Sequence, residues 1–222
     1  MKIIEVSGNG ACLFSSLRLG FELLTVVQKL RKTNVSDERF EKSFYGHGPL
    51  INSAAEALRL LICKWYSPVY FDKEVSFVDG VSTRRKILEL ELCTTETSHL
   101  EMYVEAMKNN KKWGSFPEII AFAMMLKCEI IVYHATSKDT VKDVKNVKSD
   151  SIDVSIDEQL LKKPLLVTPM QQVKHPEGTG TIHLLFSGNH YDLLIDDDEY
   201  IFLEKAYAFL RHRVSACEVQ KQ

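Results

Sequence analysis

Residues 8–14 read Gly-Asn-Gly-Ala-Cys-Leu-Phe, a glycine-rich turn followed by a cysteine that opens an apolar segment. The apolar residues Leu13, Phe14, Leu17 and Phe21 recur at helical spacing, which predicts a helix with Cys12 in its first turn. Backbone N–H groups at such a turn and at a helix N-terminus favour negative charge, and the thiolate is the nucleophilic form of cysteine. The stretch therefore predicts that Cys12 is a nucleophile and that a helix starts beside it.

A second stretch, residues 188–192, reads Gly-Asn-His-Tyr-Asp and supplies the other groups that cysteine catalysis needs. It begins in the turn of a predicted hairpin, and His190 stands where the second strand leaves that turn. Asp192 lies two residues further on, so both side chains are expected on the same face of the strand. We predict His190 as the base and Asp192 as the group that orients it, with Asn9 as an alternative orienter.

The turn before the cysteine is also expected to stabilise the oxyanion that forms when a thiolate attacks a carbonyl. The predicted donors are the backbone amides of Asn9, Gly10 and Ala11. Gly10 would let the backbone approach the substrate closely.

Composition excludes several classes of protein. The 222 residues are 45% hydrophobic with a net charge of -2, and the charges of both signs are spread along the chain, which argues against nucleic-acid binding. The spacing of cysteine and histidine predicts no zinc site. No apolar run approaches the length of a membrane span, and the N-terminal residues do not resemble a signal peptide. We expect an intracellular, cytoplasmic protein.

Five scattered cysteines make a poor disulfide framework and favour a reducing compartment. Cys63, Cys93 and Cys128 lie in apolar runs and are expected in the core. We expect one domain over residues 1–222, with the polar residues 137–157 as a surface excursion. Because Cys12 lies so close to the first residue of the sequence, an alternative expectation is that the chain is one domain of a longer protein.

Helical patterns dominate the first half of the chain and strand patterns the second half, which favours an α+β fold. In the first half, the pattern predicts a loop at 31–36, a helix capped by Asn52 or Ser53, and a helix that has Pro117 in its first turn. In the second half, it predicts a buried strand at 130–133 and a hairpin of 182–186 and 191–195. A turn at 196–198 and a helical tail at 203–214 are expected to follow. Glu118 is expected to support the first turn of its helix.

Three blocks of this sequence together resemble the ovarian-tumour (OTU) domain family of cysteine proteases, most of whose members remove ubiquitin. Residues 9–14 are similar to the family's Asp-Gly-Asn-Cys-Leu-Phe box. Residues 113–119, Trp-Gly-Ser-Phe-Pro-Glu-Ile, follow Tyr103 and Met107 and are similar to the Trp-Gly-x-x-x-Glu-Leu box. Residues 189–192 are similar to the family's ending of histidine, an aromatic residue and Asp or Asn.

The resemblance implies a papain-like fold with a small central β-sheet between helical lobes, and a deubiquitinase that acts without metal or cofactor. It assigns Cys12, His190 and Asp192 to the catalytic triad and makes ubiquitin or polyubiquitin the expected partner of a monomeric domain. For a viral or bacterial source, the site of action would be the host cytoplasm. The alternatives are a protease for another ubiquitin-like modifier or for a polyprotein junction, and an inactive ubiquitin-binding module.

Two residues in the first block depart from the family pattern. Asn9 replaces the usual aspartate and Ala11 the usual asparagine, and both changes are tolerable if the oxyanion donors are backbone amides. Three residues beside the predicted site are candidates for contact with substrate, although packing is the preferred interpretation of the first of them: Trp113, Asn189 and Tyr191.

Overall fold

The computed structural model describes residues 1–6, 10–33, 48–135, 165–206 and 214–221. The predicted surface excursion at 137–157 lies outside the described residues. The helices are α1 (Cys12–Thr33), α2 (Gly48–Trp65), α3 (Arg84–Leu92), α4 (Thr97–Met107), α5 (Phe116–Leu126) and α6 (Asp197–Ala206). A short 3-10 turn, Pro68–Tyr70, follows α2. The helices and strands together form an α+β fold, as predicted.

The central sheet contains the strands β1 (Lys2–Ile4), β4 (Glu129–Ala135), β5 (Leu165–Lys174), β6 (Thr181–Phe186), β7 (Tyr191–Ile195) and β8 (Val214–Lys221). Their spatial order is β1-β7-β6-β4-β5-β8, and β8 also pairs with β1. The β4–β6 and β5–β8 pairs are parallel and the others antiparallel. A separate hairpin consists of β2 (Glu74–Phe77) and β3 (Gly80–Thr83).

The main core lies where helices meet one face of the sheet. Leu13, Phe14 and Leu17 of α1 are fully buried in it, and Phe21 of the same helix meets Phe122 of α5 edge to face. A second, smaller hydrophobic cluster is formed by buried side chains on or next to the strands: Met1, Ile3, Tyr133, Val167, Leu185 and Leu194. The helix that carries Cys12 is thus fixed rigidly against the strands.

Strand pairing brings the two ends of the chain together. Strand β1 runs antiparallel to β7, with Ile4 opposite Leu193. The chain leaving β1 therefore passes the start of β7, where the Val6 N–H donates to Asp192 Oδ1. This register is the reason why residues separated by almost the whole chain share one site.

Several predicted element boundaries are wrong. Helix α1 continues to Thr33, into the predicted loop at 31–36, whose remaining residues lie outside the described residues, and α2 begins at Gly48, ahead of the predicted caps Asn52 and Ser53. Helix α6 begins at Asp197 in place of the predicted turn. Acidic residues in its first turn favour that start.

The predicted helical tail is only partly correct, because α6 ends at Ala206 and Val214 begins strand β8. Cys93 is also not a core residue: it is exposed at the end of α3, where its backbone turns left-handed with a φ of 51°. Cys63 and Cys128 are buried as predicted. Across the described residues, no helix has both the length and the apolar character needed to cross a membrane.

Candidate active site

Cys12 is the first residue of α1, and its side chain is buried. Burial alone would raise the pKa of the thiol. A side-chain hydrogen bond from His190, the imidazole charge, and backbone N–H groups of Tyr191 and Leu13 act in the opposite direction. They outweigh burial, so the pKa of Cys12 lies below its usual value and the thiolate is favoured.

The other buried cysteines show what Cys12 would be without these donors. Burial, the largest cause in both cases, raises the pKa of Cys63 to about 11 and that of Cys128 to about 12. Both remain protonated at neutral pH, as expected for small core residues. The hydrogen bonds around its sulfur therefore distinguish Cys12 from the cysteines of the core.

His190 is held between the sulfur and a carboxylate. Its Nε2 donates to Asp192 Oδ1 at 2.9 Å, which leaves Nδ1 as the ring nitrogen for the Cys12 side. The hydrogen bond to Asp192 and then the one to Cys12 raise the pKa of His190 to about 9, although burial opposes the shift. The imidazolium form is therefore the stable one at neutral pH, and its charge favours ionisation of Cys12.

Backbone contacts fix both partners of this pair. The N–H of Val6 donates to Asp192 Oδ1 at 3.1 Å, so the chain leaving β1 supports the carboxylate directly. The Ser16 hydroxyl on α1 donates to the Tyr191 carbonyl at 3.1 Å, which ties the nucleophile's helix to β7. The hairpin turn closes with a bond from Ser187 N–H to the His190 carbonyl at 3.0 Å.

The glycine-rich turn is described from Gly10 onward, and Asn9 lies outside the described residues. Gly10 has a φ of +79°, and an added Cβ would lie 3.0 Å from the carbonyl oxygen of Lys111. A residue with a side chain would be strained by both the dihedral and the contact. Ala11 is buried, directly before Cys12. Oxyanion stabilisation by this turn stays a prediction.

The second sequence block packs against the first. A Cβ on Gly114 would lie 2.7 Å from Leu13 Cδ2 and 2.9 Å from Phe14 Cε2, so a side chain at this position would have to displace Leu13 and Phe14. The buried Glu118 accepts hydrogen bonds from Ser115 N–H at 2.7 Å and from the Tyr103 hydroxyl at 2.8 Å. It thereby supports the first turn of α5, as predicted, and burial raises the pKa of its carboxyl.

Three further residues were expected to contact substrate. The Trp113 side chain is 54% exposed, immediately before Gly114, and Asn189 is exposed in the hairpin turn. The ring of Tyr191 is buried against Phe186, with 4.8 Å between the ring centroids, whereas its backbone contacts the Cys12 sulfur. Contact with substrate remains a prediction for all three.

Arg59 of α2 lies beside the candidate site, although none of the three sequence blocks contains it. Its side chain is only 1% exposed, and it donates to the Gly10 carbonyl at 3.1 Å and to the Met107 carbonyl at 3.1 Å. A sequence signal existed, because Arg59 falls at helical spacing between the buried Ala55 and Ile62. An arginine on the apolar face of a helix needs a specific partner.

The family model for OTU-like cysteine proteases matches residues 7–172, which contain two of the three blocks. The chain belongs to this family. The match confirms the resemblance that was inferred from the three blocks. A search of curated protein sequences finds no significant match.

Solved structures of OTU domains are similar to this chain at low sequence identity. The OTU domain of OTUD1 is 14% identical, with a TM-score of 0.41 over 87% of this chain and 85% of that one. An OTU deubiquitinase from Wolbachia pipientis wMel, solved bound to ubiquitin, is 18% identical, with a TM-score of 0.40 over 88% and 96%. The viral OTU domain protease from Farallon virus is 15% identical, with a TM-score of 0.37 over 87% and 82%.

Proposed function

We propose that the chain is a deubiquitinase that hydrolyses the isopeptide bond after the C-terminal diglycine of ubiquitin. The observation that carries the proposal is the chain of contacts from Cys12 through His190 to Asp192, in a member of the OTU-like cysteine protease family. Ubiquitin is chosen as the substrate because most members of the family that the three blocks resemble remove it.

In the first half of the reaction, the Cys12 thiolate attacks the carbonyl carbon of the isopeptide bond. Backbone amides of residues 9–11 hold the negative oxygen of the tetrahedral intermediate. As the C–N bond breaks, the His190 imidazolium gives its proton to the leaving lysine amine, and ubiquitin remains attached to Cys12 as a thioester.

In the second half, the now neutral His190 accepts a proton from the water that attacks the thioester. Breaking the C–S bond releases the ubiquitin carboxyl group and restores the thiolate next to an imidazolium. Asp192 keeps the ring oriented through both steps, since its bond to Nε2 directs Nδ1 toward the sulfur.

Incubation with a panel of diubiquitins tests the proposal. We expect the wild-type chain to cleave at least one linkage, and Cys12→Ala to cleave none. Cys93→Ala is the matched control, because Cys93 is exposed at the end of α3 and should leave cleavage unchanged. Equal cleavage by the wild type and Cys12→Ala would refute the assigned nucleophile.

Reactive probes separate the alternative functions. A ubiquitin with a C-terminal electrophile should form an adduct on Cys12, whereas an inactive ubiquitin-binding module should form none. The same probe built on other ubiquitin-like modifiers should react more slowly. If one of these modifiers reacts faster than ubiquitin and no diubiquitin is cleaved, that modifier is the substrate in place of ubiquitin.

A further inference from the structure

Arg59 connects three segments of the chain behind the glycine-rich turn. Its Nη2 donates to the carbonyls of Gly10 at 3.1 Å and Asn110 at 3.4 Å, and its Nη1 donates to the carbonyl of Met107 at 3.1 Å. The guanidinium also lies over the Phe14 ring, 4.0 Å from the centroid. It thus joins the turn before Cys12 to the end of α4 and to the segment that follows it.

Simple packing does not explain an arginine in this position. Burying a charge costs free energy unless it is well paired, and an apolar residue of similar volume often serves a core at least as well. The hydrogen-bond partners of Arg59 are backbone carbonyls and the sulfur of Met107, so its bonds fix the course of the backbone.

The bond to Gly10 sets the direction of the next amide. In a trans peptide the carbonyl and the N–H of the same unit point in opposite directions. Because the Gly10 carbonyl is held toward Arg59, the N–H of Ala11 faces the opposite side of the turn. Ala11 is one of the residues whose amides were predicted to bind the oxyanion.

We propose that Arg59 is a positioning residue that holds the Gly10–Ala11 peptide in the orientation needed for oxyanion stabilisation. The proposal rests on Cys12 being the nucleophile, but it does not depend on ubiquitin being the substrate. Losing Arg59 should slow the reactions that pass through an oxyanion and spare the intrinsic reactivity of the thiolate.

Two small reagents separate these effects without ubiquitin. p-Nitrophenyl acetate acylates a thiolate through a tetrahedral oxyanion, whereas iodoacetamide alkylates it by direct displacement, with no oxyanion. Both rates are measured for the wild type, Arg59→Met and Arg59→Lys, and the rates of the same proteins carrying Cys12→Ser are subtracted as the background from other cysteines.

For Arg59→Met we expect the acylation rate to fall by about 10²-fold, comparable to the loss of an oxyanion donor. The alkylation rate should fall much less, since the bonds that His190, Tyr191 and Leu13 make to the sulfur remain and only the charge attraction between Arg59 and Cys12 is lost. Arg59→Lys should also be impaired in acylation, because a single ammonium group cannot reproduce the arginine fork.

Arg84 provides a matched control. It also donates to a backbone carbonyl, that of Trp65 at 2.6 Å, and lies over an aromatic ring, but its contacts are with residues away from the turn. Arg84→Met should lose stability without changing the ratio of acylation to alkylation. Unchanged acylation in both Arg59 variants, or an equal loss of acylation and alkylation, would overturn the proposal. If Arg59→Met does not fold, the two rates are measured for Arg59→Lys alone, and the same two results would overturn the proposal.

Discussion

The side chains of Cys12 and His190, the proposed nucleophile and base, each favour the charged form of the other. Burial disfavours a thiolate at Cys12 and an imidazolium at His190, yet the pKa of Cys12 is lowered and that of His190 is raised to about 9. Each ion is stabilised by its partner and by hydrogen bonds to the charged form. The site is therefore prepared for attack before any substrate binds.

This charge pairing predicts the pH dependence of turnover. Activity should rise with pH as Cys12 ionises, below the pH at which an ordinary thiol does so. It should fall as the pH passes through about 9, because His190 then loses the proton that it must give to the leaving amine. The measurement is kcat/KM against pH with a fluorogenic ubiquitin substrate. A rate that keeps rising well beyond this pH would contradict the role of His190.

Asp192 is expected to control the alkaline side of that profile, because its hydrogen bond is the main cause of the raised pKa of His190. Asp192→Asn keeps an acceptor oxygen but loses the charge, so activity should begin to fall at lower pH. Asp192→Ala loses both and should lower kcat by roughly 10²-fold. Asp196→Asn, at the end of the same strand and facing His183, is the control that should leave the profile unchanged.

The proximity of Cys12, His190 and Asp192 could be predicted, because two short motifs carry these residues and His190 directly precedes the strand that carries Asp192. Arg59 could not be assigned, because its partners are backbone carbonyls on other segments. A charged residue in an amphipathic helix is usually exposed. Only tertiary structure shows that this one faces the catalytic turn.

Close packing between the start of α1 and the segment before α5 holds the nucleophile in place. Gly114→Ala would introduce a Cβ 2.7 Å from Leu13 Cδ2, and Gly20→Ala would introduce one 2.7 Å from Ile182 Cγ2. Both substitutions should lower the free energy of unfolding by about 1–3 kcal/mol, as overpacking does. Because Leu13 adjoins Cys12, only Gly114→Ala should also lower kcat.

Thermal unfolding and turnover per folded molecule separate these two effects. Gly20 lies two helical turns beyond Cys12, where α1 packs on the sheet, so Gly20→Ala should keep the wild-type kcat despite its lower stability. An equal loss of kcat in both variants would show that the contact at Gly114 has no special influence on the nucleophile.

Local sequence patterns predict the helices and strands that have a clear apolar period, including α5, β4 and the hairpin of β6 and β7. They failed where distant partners decide the structure. Strand β8 pairs with β1 and β5, neither of which adjoins it in sequence, so nothing local indicated a strand there. Helix α1 likewise includes residues 31–33, where the local pattern predicts a loop, so the local pattern did not determine where this helix ends.

The three sequence blocks are brought together by contacts between segments that are distant in sequence. Strand β1 delivers the first block to the start of β7, and the Val6 N–H bonds to Asp192 across 186 positions of sequence. Gly114 brings the second block against Leu13. A site assembled in this way exists only in the folded state, so we expect the reactivity of Cys12 to depend on the fold.

Selective alkylation of Cys12 is the measurement that most directly tests the proposed pairing of a Cys12 thiolate with a His190 imidazolium. The protein is treated briefly with iodoacetamide at about pH 6, where an ordinary thiol is almost wholly protonated, and the modified residues are mapped by mass spectrometry. We predict labelling of Cys12 ahead of Cys63, Cys93 and Cys128, and loss of that preference in His190→Ala. Labelling of Cys12 no faster than the exposed Cys93, or unaffected by His190→Ala, would contradict a thiolate paired with an imidazolium.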